Sequence, residues 1–220
     1  MFNTYYADAV LVTSYITKNF IKERGLKDES IYEVGLPYLA IGDEDNQASS
    51  KNGKLIFLTQ AFESHGLPEY QREQINFINK LMENGACDEL MVIRVHPRDY
   101  FDYGKEFPHH NVVINKEDPR SFLKSVNSTD LIITPMSTYA FELMRHGCSC
   151  VFYSTDKISG IYGQAYDMLG VPVLYPNDIS GFLRCENVRE KFLSIGVDIF
   201  YPEEERKILL GKISDAFFYS

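Results

Sequence analysis

The chain has little positive charge and no long apolar segment, and each shortage excludes a class of protein. Its 22 lysine and arginine residues are outnumbered by 31 acidic residues, for a net charge of −9. Nucleic-acid-binding proteins usually carry a basic patch, so we expect no nucleic acid partner. No apolar run approaches the roughly 20 residues that span a bilayer, and the first residues lack the basic and apolar parts of a signal peptide. We expect a cytoplasmic protein, with peripheral contact to the inner face of the membrane left open.

Cysteine is also sparse, and its spacing argues against a metal centre. The residues Cys87, Cys148, Cys150 and Cys185 include no CxxC pair and no histidine at zinc-finger spacing. Cys148 and Cys150 are two positions apart in a predicted strand, which puts their side chains on the same face. We interpret them as reduced, partly buried thiols, and we expect neither a metal ion nor a cofactor.

Three common catalytic or nucleotide-binding signatures are missing. The chain has no GxGxxG fingerprint for nicotinamide dinucleotides and no glycine-rich loop ending in a Walker lysine. It also lacks the GxSxG turn that presents the nucleophile of α/β-hydrolases. Any phosphate-bearing ligand must therefore be held by other local cations and backbone amides.

The hydrophobic pattern is that of an α/β protein. A polar, turn-rich segment at 42–53 separates a short opening section from a regular alternation of strands and helices. Strands separated by helices predict a Rossmann-like, mostly parallel sheet with helices on both faces. The predicted strands are 7–13, 31–34, 54–60, 89–95, 111–115, 130–134, 149–154 and 172–175. The predicted helices are 14–24, 68–84, 98–105, 118–127, 137–146, 178–195 and 202–217, with a loop between the strands 149–154 and 172–175.

One predicted strand ends in the motif Arg94-x-His96-Pro97-Arg98. The proline fixes φ and removes a backbone donor, so it ends the strand and presents His96 at the sheet edge. An imidazole there can donate a hydrogen bond to a phosphate or a proton to a leaving group. In a regular strand, Arg94 shares a face with His96. The alternative is an ordinary turn in which His96 is satisfied by the backbone.

A second group of polar residues follows the strand at 130–134. Ser137 and Thr138 stand at the start of a predicted helix, where unpaired N–H groups and hydroxyls can bind an anion. The alternative is a simple helix N-cap. Glu142 lies four residues after Thr138, on the same face and one turn deeper, where a carboxylate could accept hydrogen bonds from ribose. In the loop 60–66, Gln60, Ser64 and His65 are candidates for sugar contacts.

These residues resemble a known enzyme family. The segments 58–62 (Leu-Thr-Gln-Ala-Phe), 94–100 (Arg-Val-His-Pro-Arg-Asp-Tyr) and 130–138 (Asp-Leu-Ile-Ile-Thr-Pro-Met-Ser-Thr) are similar to bacterial glycosyltransferases of the two-Rossmann-domain (GT-B) type. The resemblance is greatest to the CMP-sialic-acid-dependent sialyltransferases that act on lipooligosaccharide or capsular polysialic acid. Glycerophosphate and Kdo transferases share a similar His-Pro pattern.

The resemblance implies a division of the chain and a set of roles. Residues 1–45 would be the remnant of an N-terminal domain with its crossover, and 46–220 the Rossmann-like domain that binds the nucleotide sugar. His96 would contact the phosphate and act as general acid. Nucleotide would be bound by the following residues: Arg94, Pro97, Arg98, Ser137, Thr138 and Glu142.

The same resemblance implies partners and leaves alternatives open. The donor would be a nucleotide sugar, with a CMP-sugar expected, and the acceptor a cell-surface glycan. The family's catalytic carboxylate base should precede residue 7, so this chain alone is expected to turn over poorly. The alternatives are a non-catalytic nucleotide-binding module that partners another chain, and a UDP-sugar epimerase of the same architecture. A homo-oligomer also stays open.

Overall fold

The computed structural model describes residues 10–12, 15–33, 53–86, 88, 90–145, 148–169 and 173–184. The chain forms two compact units, one from Met1–Ile41 with Val197–Ser220 and the other from Gly42–Gly196. The predicted division at 45/46 falls outside the described residues, as do most of strand 7–13 and the helix 202–217. The division into 1–45 and 46–220 stays a prediction. Among the described residues, no helix combines the length and apolarity that crossing a membrane requires.

The described part of the first unit is a small parallel pair of strands with one helix. Strand β1 (Val10–Val12) pairs in parallel with β2 (Ile31–Glu33). Helix α1 (Tyr15–Lys22) connects them, followed by a 3-10 turn at Asp28–Ser30. A parallel pair requires such a crossover, because the chain must return to the same end of the sheet.

The second unit contains one six-stranded parallel sheet. Its strands, in the spatial order β5-β4-β3-β6-β7-β8, all run in the same direction. They are β3 (Leu55–Leu58), β4 (Met91–Arg94), β5 (Val112–Asn115), β6 (Leu131–Thr134), β7 (Ser149–Tyr153) and β8 (Val173–Leu174). The helices are α2 (Pro68–Glu83), α3 (Tyr103–Glu106), α4 (Pro119–Leu123), α5 (Thr138–Arg145), α6 (Asp156–Leu169) and α7 (Ile179–Leu183).

Helices cover both faces of this sheet, which confirms the predicted α/β Rossmann-like class. Alternate residues of β3 enter two different hydrophobic clusters, because side chains alternate across a strand. Leu55 and Phe57 pack with Phe77 of α2 in one cluster. Ile56 and Leu58 pack with helices α4 and α5 in the other. The four inner strands β3, β4, β6 and β7 are therefore buried on both faces, as continuous apolar runs predict, whereas the edge strand β5 is partly exposed.

The strand order reverses at β3, and this reversal locates a natural binding edge. From β3 the chain adds β4 and β5 on one side, then returns to add β6, β7 and β8 on the other. The loops after β3 and β6 consequently diverge onto opposite faces of the sheet. In open α/β sheets, ligands bind in the crevice at this switch point, outside the carboxyl ends of the strands.

The prediction of a loop between β7 and β8 was wrong, because this segment contains the 14-residue helix α6. Two interior glycines, Gly160 and Gly163, lower its helix propensity by about 1 kcal/mol each. Ile158, Tyr162 and Tyr166 nevertheless repeat every four residues and pack into the core. Burial of this apolar stripe outweighs the weak propensity, as tertiary packing commonly does.

Candidate functional site

Hydrogen bonds of the His96, Arg98 and Asp99 N–H groups hold the loop after β4 in place. The His96 N–H donates to Thr59 Oγ1 at 2.9 Å, which ties the loop to the end of β3. The N–H of Arg98 donates to His96 Nδ1 at 3.1 Å. The Asp99 N–H donates to the His96 carbonyl at 2.8 Å and closes a tight turn. The motif therefore forms a fixed structure at the sheet edge.

These bonds determine which imidazole nitrogen can donate. Because Nδ1 accepts from Arg98, a neutral ring carries its proton on Nε2. Among the described residues, nothing pairs with that Nε2–H. Burial lowers the pKa of His96, Asp99 opposes the shift, and Arg98 and His65 add to it. The lowered pKa favours the neutral form of the half-buried ring, which donates through Nε2, and the role of His96 as general acid stays a prediction.

His96 lines a cavity of about 390 Å³ at the carboxyl edge. The cavity lies between the loop after β4 and the loop that joins β5 to α4. Its lining residues are Arg94, Val95, His96, Pro97, Asp99, Lys116, Glu117, Asp118 and Pro119. Three of the predicted nucleotide-site residues, Arg94, His96 and Pro97, are therefore brought together in one concave site.

Arg94 lines the cavity, and both terminal nitrogens of its guanidinium bond the protein, whereas its buried Nε has no partner among the described residues. It donates to the carbonyls of Val95 at 3.2 Å and Asn115 at 3.4 Å, and also to that of Glu117. The guanidinium also lies over the ring of Phe122, 5.2 Å from its centroid. Burial lowers the pKa of Arg94. Arg94 thus holds the wall of the cavity and contributes positive charge there, and its contact with phosphate stays a prediction.

Arg98 and the residues of the loop after β3 meet at the outer rim. Ser64 Oγ donates to the Arg98 carbonyl, so the two loops are joined. His65 is exposed in the 3-10 turn Glu63–His65. Gln60 is fixed through its main chain, whose N–H and C=O both bond the Gln74 side-chain amide, at 2.8 and 3.2 Å. Their proposed sugar contacts stay predictions.

Ser137 acts as the N-cap of α5, since its Oγ accepts from the Tyr139 N–H at 3.2 Å. The hydroxyl proton is not used by that bond, and Thr138 is exposed at the first helical position. Tyr139 Oη donates to the carbonyl of Pro119 at 2.7 Å, which connects the start of α5 with the cavity wall. Strands β4 and β6 flank β3, so their ends are separated by about 10 Å, twice the usual strand spacing.

Glu142 does not line the cavity. Its carboxyl is half-buried one turn into α5 and makes no hydrogen bond or ion pair with the described residues. Burial raises the pKa of this group. The predicted contact with ribose would require the ligand to extend from the cavity along α5.

A buried polar network supports the site, and the sequence patterns did not indicate it. Tyr103 Oη donates to Asp99 Oδ2 at 2.6 Å and accepts from Gln71 and Gln74, each at 2.8 Å. Asp99 Oδ1 accepts from the Phe101 N–H at 3.1 Å. The network joins α2 to the His96 loop. Its members are far apart in the sequence, and only the folded structure shows that they are buried together. The sequence signal for this network is a pair of glutamines, Gln71 and Gln74, three positions apart on the buried side of α2.

The described residues contain no cluster of histidine, cysteine, aspartate and glutamate suited to a metal ion. One acidic cluster of the sequence, Asp43-Glu44-Asp45, lies outside the described residues, so the expected absence of a metal stays a prediction. Cys148 and Cys150 are buried free thiols in the same hydrophobic cluster, as their spacing predicted.

No family model matches the sequence, and no curated protein matches it. Solved structures do match. UDP-GlcNAc 2-epimerase from Methanocaldococcus jannaschii, in complex with UDP-GlcNAc and UDP, is similar with a TM-score of 0.62 and 13% identity, over 94% of this chain and 61% of that one. UDP-GlcNAc 2-epimerase from Neisseria meningitidis bound to UDP-GlcNAc gives 0.62 and 14%, over 97% of this chain and 67% of that one.

A third similar structure is the wall teichoic acid polymerase TagF with CDPG, with a TM-score of 0.53 and 13% identity. The match covers 95% of this chain and 57% of that one. The chain therefore spans between 57% and 67% of the length of these three proteins. Such low identity shows the fold alone: this chain has the fold found in nucleotide-sugar enzymes of the GT-B type.

Proposed function

We propose that this chain is the donor-binding half of a glycosyltransferase that uses a nucleotide-activated sugar, with CMP-sialic acid as the leading donor. One observation carries the proposal. An imidazole whose Nε2 has no partner among the described residues lines a concave site of about 390 Å³ at the carboxyl edge of a Rossmann-like sheet, between the ends of β4 and β5. This arrangement suits a phosphate group attached to a nucleoside and a sugar.

In the proposed reaction, the bond between the sugar and the nucleotide phosphate breaks, and the phosphate leaves with the electron pair. Negative charge grows on its oxygens. His96 Nε2–H donates to one oxygen, and the Ser137 and Thr138 hydroxyls at the start of α5 would face another part of the anion. Donors that are oriented before the reaction stabilise such a charge without reorganisation. Arg94 adds positive potential from below the cavity.

The remaining roles follow from position. Arg98, Pro97 and the loop residues Gln60, Ser64 and His65 would surround the sugar, and Glu142 would accept from ribose. A glycan hydroxyl would attack the sugar after deprotonation by a carboxylate. We propose that this base belongs to the portion of such enzymes that the present chain does not span. The protein would work in the cytoplasm, and contact with a membrane surface would follow if the acceptor is a lipid-linked glycan.

Isothermal titration with CMP and UDP tests the site. Replacing His96 by Ala removes one hydrogen bond to a charged group, about 1.5–3 kcal/mol, and should weaken binding by about 10- to 100-fold. Ser137→Ala should weaken it by a smaller factor. Exposed His110 in the same unit provides the matched control, and His110→Ala should bind as the wild type does. Equal affinity of wild type and His96→Ala would refute the site assignment.

The second candidate function is a UDP-sugar epimerase. It is favoured by the likeness to two structures described as UDP-GlcNAc 2-epimerases, each with a higher TM-score than TagF. An epimerase prefers UDP over CMP and converts its nucleotide sugar without an acceptor. Conversion of UDP-GlcNAc alone, followed by NMR, would favour the epimerase. Nucleotide binding without conversion would argue against the epimerase, and it is the result expected both of the donor-binding half alone and of the non-catalytic module.

A further inference from the structure

Two side chains on the His96 loop are exposed although the loop itself is firmly held. Arg98 is exposed, and neither a carboxylate nor a hydrogen-bond acceptor of the described residues contacts its guanidinium. Tyr100 is 85% exposed, the largest value among the exposed large hydrophobic residues of the described chain. Asp99 stands between them and is buried, at 6% exposure. Arg98 and Tyr100 therefore lie on the outer side of the loop.

The backbone that carries these two side chains is restrained at each position. The Arg98 amide bonds His96 Nδ1, and its carbonyl accepts from Ser64 Oγ. Asp99, which precedes Tyr100, accepts hydrogen bonds from Tyr103 Oη and from the N–H of Phe101, which follows it. A cation and an aromatic ring thus stay in solvent on a preorganised backbone. Preorganisation lowers the entropy cost of binding, which is the usual property of a recognition element.

The position of this pair separates it from the nucleotide. Pro97 and Asp99 line the 390 Å³ cavity, whereas Arg98 and Tyr100 do not. Through Ser64, Arg98 is instead joined to the loop after β3. A ligand with its phosphate at His96 would therefore reach this pair with a group beyond the phosphate. Since the proposed function places the ribose at Glu142 of α5, the group on this side would be the sugar.

We propose that Arg98 and Tyr100 form a platform for an anionic sugar, one that carries a carboxylate or a phosphate group. The proposal deepens the proposed function and rests on it. Arg98 pairs with the anionic group, since its planar guanidinium matches carboxylate and phosphate oxygens. Tyr100 supplies a flat apolar ring for a face of the sugar and a hydroxyl for its polar groups. The sugar is either the one transferred or the acceptor's terminal unit.

Matched ligand pairs distinguish these two sources. For the transferred sugar, titrations compare UDP-glucuronic acid with UDP-glucose, and CMP-sialic acid with CMP. For the acceptor, sialyllactose is compared with lactose in the presence of saturating nucleotide. The wild type should bind the acidic member of one pair about tenfold tighter than the other member. The pair that shows this preference identifies the source.

The variants then test the two residues. Arg98→Gln should abolish the preference for the acidic ligand, measured as the ratio of the two affinities in each pair. Tyr100→Ala should weaken the sugar-bearing ligands, while its affinity for CMP or UDP alone stays unchanged. Lys80→Gln and Tyr175→Ala, an exposed lysine and an exposed tyrosine elsewhere in the unit, should behave as the wild type does. Absence of any acidic preference in the wild type, or its survival in Arg98→Gln, would overturn the platform.

The outcome separates the platform from the proposed function. Binding of nucleotide with no effect of either variant removes the platform and keeps the donor site. If neither CMP nor UDP binds, sialyllactose and lactose are compared without nucleotide; a preference for sialyllactose that Arg98→Gln abolishes would remove the proposed donor site and keep the platform.

Discussion

Replacing Tyr103 by Phe should destabilise the second unit strongly, although the ring fits the same space. Tyr103 is 0% exposed, and its hydroxyl makes three hydrogen bonds of 2.6 to 2.8 Å, to Asp99, Gln71 and Gln74. Removing it leaves the Gln71 amide and one Asp99 oxygen buried without these partners. Gln74 retains its bond to the Gln60 carbonyl at 3.2 Å.

The magnitude follows from these lost partners. A buried polar group left unsatisfied costs about 1–3 kcal/mol, more when it is charged. Two such groups predict a loss of about 2–6 kcal/mol in the free energy of unfolding, a large part of the stability of an ordinary domain. The phenyl ring should keep its contacts with Phe101 and Phe107, since these involve the ring and not the hydroxyl.

Urea unfolding followed by circular dichroism measures this loss, and the slope of the transition should not change. Tyr162→Phe is the matched control, because Tyr162 is half-buried and its hydroxyl makes no hydrogen bond with the described residues. That variant should lie within about 0.5 kcal/mol of the wild type. A loss below about 1 kcal/mol in Tyr103→Phe would show that water satisfies the network, and the argument for a rigid His96 loop would fail.

Three further predictions concern other parts of the chain. The pKa of His96 is lowered in the folded protein, so the unfolded state takes up a proton at higher pH than the folded state does. The free energy of unfolding should therefore fall as the pH drops below 6.5. In urea titrations at pH 5–8, His96→Gln should show a flatter dependence of this free energy on pH. Asp130 is fully buried, accepts the Lys54 N–H at 2.7 Å and lies 3.6 Å from the Lys54 ammonium. Asp130→Ala should therefore lower the free energy of unfolding by about 3–5 kcal/mol in the same assay. A loss below about 1 kcal/mol would contradict this. Asp118 caps α4 by accepting two N–H groups at 3.0 Å, so Asp118→Ala should lower the thermal midpoint through a loss of about 1 kcal/mol, and Asp118→Asn should retain most of it.

The binding edge could be predicted because its signals are local. An apolar run that stops at His96-Pro97 marks the end of a strand, and Asp118-Pro119 marks the start of a helix with its cap, as the structure confirms. Parallel strands place such ends at one edge whatever their order in the sheet. The sequence therefore predicts that the candidate residues after β3, β4 and β6 lie at the same edge of the sheet, whatever the strand order.

Other features depend on contacts between distant segments. The glycines of α6 obscured a helix that exists because Ile158 and Tyr166 are buried against the sheet. The predicted contact of Arg94 with phosphate stays a prediction, and the sequence did not indicate that its N–H groups bond carbonyls up to 23 residues away. No local pattern reports which acceptors will surround a buried guanidinium, since the surrounding loops are brought there only by folding.

By itself, the sequence determined the layered α/β architecture and the chemistry at its edge, because strand and helix periods and proline stops are properties of short segments. The tertiary structure alone decided the strand order, the switch point at β3 and the network of Tyr103 with Gln71 and Gln74. It also decided that His96 lines a cavity with Nδ1 bonded to the Arg98 N–H, while Arg98 and Tyr100 remain in solvent. Packing between segments far apart in the chain sets which side chains are buried and which hydrogen-bond partners they have. These contacts determine which of the polar residues come together in one site.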